Sequence, residues 1–149
     1  MDVSKLKMDE VIAHRQPMSL LSSIESCCDD SIIAIVNQDG SSFLANENGD
    51  VPAWVGIEYM AQAMGAYAGV RSKRLGKPIE KGFLLGTRKF KAYCEVFAKG
   101  QTLKVTATQE LLDTSGVSLF RCTIHYENQL LAEGAIKGIQ PSSDMKLFL

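Results

Sequence analysis

The sequence is short of the residues on which most metal and nucleophile chemistry depends. It has two histidines, His14 and His125, and four cysteines with no Cys-x-x-Cys spacing among them. Cys27 and Cys28 are adjacent, while Cys94 and Cys122 stand alone in strand-like segments. That pattern argues against a zinc site and for reduced, buried thiols. No Gly-x-Ser-x-Gly elbow, no Walker loop and no Gly-x-Gly-x-x-Gly fingerprint occurs, so three common families of hydrolase and nucleotide enzyme lose their sequence support. Aromatic residues do not interleave with basic ones in the manner of an RNA-binding surface, and no nucleic-acid partner is expected. A run of about 18 apolar residues, long enough to span a bilayer, is also missing. The N-terminus, MDVSKLKMDEVIAHR, has no apolar centre of the signal-peptide kind. The expectation is a cytoplasmic protein.

With 149 residues the chain is read as a single domain, 1–149, long enough to bury a sizeable core without disulfide staples. Its net charge of −1 conceals a strong asymmetry. Residues 1–70 hold 3 Lys/Arg against 10 Asp/Glu, a net −7, whereas residues 71–104 hold 10 against 2, a net +8. A basic middle section of that kind either solvates a surface or meets an acidic partner.

Strand-like segments dominate the order of elements. A brief helix is expected within residues 1–13, then apolar strands at Ser19–Glu25 and Ser31–Asn37, with Asp29-Asp30 as the turn between them. Gln38–Gly49 reads as a loop. Four further strand-like segments follow at Gly82–Val96, Thr102–Leu112, Val117–Tyr126 and Leu130–Ile139, separated by Lys99-Gly100, Ser115-Gly116 and Glu127-Asn128. The tail, Pro141–Leu149, reads as loosely held. One stretch breaks this pattern. Asp50–Gly76, DVPAWVGIEYMAQAMGAYAGVRSKRLG, reads as a long helix, with Asp50 and Pro52 as start signals and Gly76 with Pro78 as the stop. Its interior glycines, Gly65 and Gly69, suggest that another backbone comes close, since each costs about 1 kcal/mol against alanine. An antiparallel sheet needs an apolar cover, and this helix alone is long enough. The expected architecture is α+β, a sheet wrapped around one central helix.

Inside that helix sits one acid, Glu58, on a face shared with Trp54, Gln62, Gly65 and Gly69. A carboxylate in an apolar helix is costly unless it is paired or hydrogen-bonded. Two readings stay open at this point. Glu58 is a general acid, or it is a carboxylate on a solvated stripe bonded to Gln62 four residues on. His125 falls on the Arg121/Thr123 side of its strand, opposite Phe120, Cys122 and Ile124, and reads as solvent-facing. His14 precedes a proline at a loop-to-strand transition, where a side chain can be aimed into a cleft.

Pro52-Ala53-Trp54-Val55-Gly56-Ile57-Glu58-Tyr59-Met60-Ala61-Gln62 resembles the central-helix motif of the hotdog-fold 3-hydroxyacyl-ACP dehydratases. His14-Arg15-Gln16-Pro17-Met18-Ser19-Leu20-Leu21 resembles the same family's His-Arg-x-Pro lead-in. Phe90-Lys91 with Gly100-Gln101-Thr102-Leu103 is similar to its later strand pair, with Gln101 in place of the usual aspartate. Gly82-Phe83-Leu84-Leu85-Gly86-Thr87-Arg88 narrows the resemblance to the ApeP-like branch associated with aryl polyene synthesis.

The resemblance implies a hotdog fold and loss of water from a (3R)-3-hydroxyacyl thioester, with no metal and no organic cofactor. It makes Glu58 the acid and places Ala53, Trp54 and Gln62 at the oxyanion and substrate, the Ala53 N–H facing the thioester oxygen. It also implies an acyl carrier protein as partner, met by Arg71, Lys73, Arg74, Arg88, Lys89 and Lys91, and a homodimer or a heterodimer with a related dehydratase. One departure matters. The family's loop histidine falls on Leu44 here, and residues 43–50 contain no histidine. His14 then stands in as base, or the chain is a non-catalytic subunit of a heterodimer. A hotdog thioesterase, with Glu58 activating water, is the third reading.

Overall fold

The computed structural model describes residues 1–12, 18–79 and 82–139. Two short 3-10 turns, Val3–Lys5 and Met8–Glu10, open the chain. β1 (Ser23–Cys27) and β2 (Ser31–Asn37) follow, then the two-residue β3 (Val51–Pro52), a 3-10 turn at Ala53–Val55 and the helix α1 (Gly56–Arg74). The remainder is β4 (Phe83–Ala92), β5 (Val96–Phe97), β6 (Thr102–Leu112), β7 (Val117–Tyr126) and β8 (Gln129–Ile139). Six strands form one antiparallel sheet in the order β1-β2-β6-β7-β8-β4, and β3 pairs with β5 beside it.

Alternation along the strands decides what the sheet covers. Ile32, Ala34 and Val36 of β2, Leu103, Val105 and Ala107 of β6, and Phe120, Cys122 and Ile124 of β7 are all buried. They meet the helix residues Tyr59, Met60, Ala63, Ala66, Tyr67 and Val70, buried in the same core. The Tyr67 ring stands edge-on to Phe120, with ring centres 5.3 Å apart, a favoured aromatic geometry. The expected sheet wrapped on one central helix is therefore what forms. All four cysteines are thiols, and burial pushes the Cys122 thiol up to about 12.

Several boundaries differ from expectation. The helix starts at Gly56 rather than Asp50, because Val51–Pro52 pairs with Val96–Phe97 and the next three residues turn as 3-10. Its end is the expected one in kind. The Gly76 N–H donates to the Lys73 carbonyl and the Lys77 N–H to the Ser72 carbonyl, with Gly76 at φ +68°, the paired bonds of a Schellman stop. The first strand begins at Ser23 rather than Ser19, since the Leu20 amide bonds a side chain of α1. The segment Gly82–Val96 is two strands, divided by a bend at Tyr93–Glu95.

The two helix glycines part company. A Cβ on Gly69 would lie 1.8 Å from the Val11 carbonyl oxygen, so a backbone does come close there, but it belongs to the N-terminal segment and not to the sheet. Gly65 is exposed, with nothing within 4 Å of the same position. The tail from residue 140 onward and His14 lie outside the described residues.

Candidate active site

Glu58 lies in the first turn of α1 and is half-buried. The Gln62 Nε2 donates to Glu58 Oε1 at 3.1 Å, the i, i+4 contact expected of a helix. The same Nε2 donates to the Met18 carbonyl at 2.7 Å, and Gln62 Oε1 accepts the Leu20 N–H at 2.8 Å. Gln62 is fully buried, so this side chain has exchanged water for those three contacts. It fastens the acid to the segment that follows residues 13–17. The Met18 backbone is thereby brought beside Glu58, and His14 lies outside the described residues.

The start of the helical segment is packed against apolar side chains. A Cβ on Gly56 would sit 3.1 Å from both Ile124 and Phe97 and 3.4 Å from Phe90. Next to the acid, Tyr59 turns inward and its hydroxyl accepts the Gln38 Nε2 at 2.7 Å, with burial raising its phenol above the usual range. Trp54 points outward and is 63% exposed.

Ala53 is buried, and its N–H is donated to the Glu95 carbonyl at 3.0 Å. That donor is engaged within the chain, on the carbonyl of a bend that follows β4. The bend at Tyr93–Glu95, which supplies the accepting carbonyl, has no signature in the sequence.

The basic residues divide in the same way. The Arg71 guanidinium donates to the Tyr67 hydroxyl at 3.3 Å and lies over its ring, and Arg74 donates to the Cys27 carbonyl at 3.3 Å. Lys91 lies over the Tyr93 ring. No cluster of three or more His, Cys, Asp or Glu able to hold a metal ion occurs among the described residues. No helix among them is long and apolar enough to cross a membrane.

The sequence profile of the ApeP-like family, described as ApeP dehydratase, matches residues 6–149. The chain belongs to this family. A comparison with curated protein sequences gives no match. Among solved structures, the chain is similar to the dehydratase heterocomplex ApeI:P from Xenorhabdus doucetiae, at 27% identity and a TM-score of 0.87 over 93% of each chain. It is also similar to Cj0977, a sigma28-regulated virulence protein from Campylobacter jejuni, at 18% identity and a TM-score of 0.60 over 95% of this chain and 91% of that one. A hypothetical thioesterase with coenzyme A from Streptococcus pneumoniae TIGR4 matches at 14% identity and a TM-score of 0.61, over 80% and 90%. The last two likenesses concern the fold alone. The long helix packed on a six-stranded antiparallel sheet is the hotdog fold of these neighbours.

For an ApeP-like chain the geometry carries one residue whose full role sequence spacing did not supply. Gln62 was readable as a neighbour of Glu58, but its bonds to Met18 and Leu20 reach 44 and 42 residues back along the chain.

Proposed function

We propose that this chain is a subunit of a dehydratase that removes water from a (3R)-3-hydroxyacyl thioester on an acyl carrier protein, giving the trans-2-enoyl thioester, in aryl polyene or fatty-acid-like biosynthesis. The observation that carries this reading is the Glu58 carboxylate, held in the first turn of α1 by a buried amide that also binds the backbone at Met18 and Leu20. In the reaction a base takes the proton from C2 and the electron pair of that C–H bond becomes the C2–C3 double bond. The C3–O bond breaks as Glu58 gives its proton to the departing hydroxyl, which leaves as water. Each such acid or base is worth roughly 10²–10⁴-fold.

Charge gathers on the thioester oxygen as C2 loses its proton, and donors must meet it. With the Ala53 N–H bound to Glu95, the Trp54 N–H, next along at the N-terminal end of the helical segment, takes that place. The positive helix end favours the developing anion there. Neither step needs a cofactor. The phosphopantetheine arm arrives on an acidic carrier, and the exposed cluster Lys73, Arg71 and Arg74 at the other end of α1 offers it a counter-surface.

The base has two candidate sources. His14 is one, four residues before Met18 in sequence, whose carbonyl accepts from the same Gln62 amide as Glu58. The second is a partner subunit, and two observations favour it: residues 43–50 hold no histidine, and the Xenorhabdus relative is a dehydratase heterocomplex. In that arrangement Glu58 of this chain serves a histidine across the interface.

The test is a mass measurement on a 3-hydroxyacyl carrier protein incubated with this chain, alone and with a related dehydratase chain. Loss of water that disappears with both Glu58→Gln and His14→Ala supports the in-chain base. Water loss only in the presence of the second chain, unaffected by His14→Ala, supports the composite site. Loss of the whole acyl group would overturn both in favour of a thioesterase.

A further inference from the structure

Glu58, Gln62, Gly65 and Gly69 lie along one stripe of α1, spaced by four, three and four residues. The chain that precedes β1 meets this stripe at two places. At one, the Val11 backbone lies directly on Gly69: a Cβ there would stand 1.8 Å from the Val11 carbonyl oxygen, 2.6 Å from its carbon and 2.9 Å from its Cα. At the other, Gln62 holds the Met18 carbonyl and the Leu20 N–H. The two places are about 10 Å apart along the helix axis. As the chain advances from Val11 to Leu20, its contacts on α1 therefore run back from Gly69 toward Glu58.

The segment on Gly69 is braced from within. Asp2 Oδ1 accepts the Ser4 N–H at 3.0 Å, and Glu10 Oε2 accepts the Lys7 N–H at 2.9 Å. The Val11 and Ile12 N–H groups donate to the Met8 carbonyl at 3.1 and 3.0 Å. The Val3–Lys5 turn packs against β1. Val3, Met8, Val11 and Ile12 are buried in the same core as Leu21, and Leu20 packs against it. Residues 2–12 thus form one bonded unit wedged between β1 and α1, and Leu20 and Leu21 share its packing. A helix interior disfavours glycine. At residue 69 the absence of a side chain is what lets this unit seat.

We propose that Gly69 is a positioning residue for Glu58, about 16 Å away along α1. The proposal rests on the reading of Glu58 as the acid and adds what aims it. The route is a chain of contacts on the page: Gly69 to Val11, Val11 through the shared core to Leu20 and Leu21, Leu20 to Gln62, and Gln62 to Glu58. Energetic coupling between distant positions travels through contiguous packing and hydrogen bonds of this kind. A methyl group on residue 69 lifts the Val11 backbone, tilts the braced unit and loosens Leu20. Gln62 then loses a fixed partner, and its amide no longer holds one direction toward the carboxylate. Gly69 itself touches neither Glu58 nor substrate.

The test compares Gly69→Ala with Gly65→Ala, the same change on the same stripe without a backbone in contact. Hydrogen exchange at the Leu20 amide should quicken at least about tenfold in Gly69→Ala and stay at the wild-type rate in Gly65→Ala. The carbon-13 shift of the Glu58 carboxyl should move in the first variant. Wherever wild type releases water from a 3-hydroxyacyl carrier protein, Gly69→Ala should lower kcat about three- to thirtyfold at unchanged KM. In a Gln62→Ala background the same substitution should lower kcat no further, because its route is already cut. An equal loss in both backgrounds would overturn the proposal, as would a destabilised Gly69→Ala whose Leu20 exchange and Glu58 shift match wild type. Glu10→Ala covers the case in which Gly69→Ala does not fold. It unties the braced unit without touching α1, and should quicken Leu20 exchange and move the Glu58 shift; quickened exchange with an unmoved shift would equally overturn the proposal. Exchange and shift are read without turnover. A wild type that releases no water would therefore sink the proposed reaction, while these two readings still decide whether Gly69 sets the carboxylate.

Discussion

The Gln62 amide nitrogen lies 3.1 Å from the Glu58 carboxylate and 2.7 Å from the Met18 carbonyl, so one buried side chain sets both the acid and the backbone beside it. Replacing Gln62 by alanine removes the donor to Glu58 and strands the Leu20 N–H and Met18 carbonyl in a part-buried place. A buried polar group left without a partner costs about 1–3 kcal/mol. The expected result is a lower melting temperature, by roughly 2–4 °C for each kcal/mol in a chain of this size. Turnover should fall further than stability explains, on the order of 10²-fold, because the acid loses its fixed direction. Gln62→Glu sharpens the test. As a carboxylate it can still accept from Leu20 but cannot donate to Met18, and it sets a second carboxyl beside Glu58. A pH–rate profile displaced in Gln62→Glu, at unchanged KM, would assign Gln62 a positioning role; unchanged kcat in both variants would make the amide purely structural.

Gly69 and Gly65 should respond to alanine with opposite signs. At Gly69 the new Cβ meets the backbone of Val11, 1.8 Å from its oxygen, and backbone has no rotamer with which to yield. The gain of about 1 kcal/mol in helix propensity is outweighed by a strain of about 1–3 kcal/mol or more, and the N-terminal segment is pushed off α1. At Gly65 nothing stands within 4 Å, so the isolated chain should gain about 1 kcal/mol. Denaturant midpoints of the two variants check both signs. Repeating Gly65→Ala in the presence of a partner chain asks a further question: a gain that turns into a loss places another backbone against that face.

How much could be read from sequence depended on the range of the interaction. Ser31–Asn37, Thr102–Leu112 and Val117–Tyr126 form strands with the expected bounds, because β-branched alternation and Gly-containing turns are local signals. The helix stop was legible for the same reason, in Gly76. The helix start was not, since Pro52 fits a first turn equally well whether it opens an α-helix or precedes a 3-10 turn, and only pairing with Val96 decides. The site shows the same division. Glu58 and Gln62 share a face by simple periodicity, whereas the commitment of the Ala53 amide to Glu95 depends on a contact between distant segments. Gly69 was legible as a close approach, but its neighbour Val11 was not.

Stability should fall at alkaline pH, with Cys122 responsible for part of the slope. Burial raises its thiol from 9.0 to about 12 in the folded chain. Above the unfolded value the unfolded chain sheds this proton while the folded chain keeps it, so the stabilisation present below pH 9 is lost as the pH rises toward 12. One proton gives at most about 1.4 kcal/mol per pH unit. Cys27, Cys94 and Tyr59 are raised by burial too and act in the same direction. The informative quantity is therefore a difference: urea midpoints of Cys122→Ala against wild type, from pH 8.5 upward. Parallel slopes for the two proteins would exclude Cys122 from the effect.

Trp54 is the chain's single tryptophan, 63% exposed, one turn from Glu58 at the start of the helical segment. An apolar ring so exposed beside the proposed thioester site reports on whatever covers that site. In the isolated chain its fluorescence should be red-shifted and readily quenched by iodide. Addition of a partner subunit should shift the emission to the blue and protect it from quenching, as water leaves the indole. Addition of carrier protein alone should leave the signal unchanged if the site is completed only by two chains, because the arm then has no completed site to enter. The reverse pattern, protection by an acylated carrier without any second chain, would mean that this subunit binds substrate unaided and would return His14 to the position of base. Trp54→Phe, by removing the signal while retaining an apolar ring, shows that both changes come from this position.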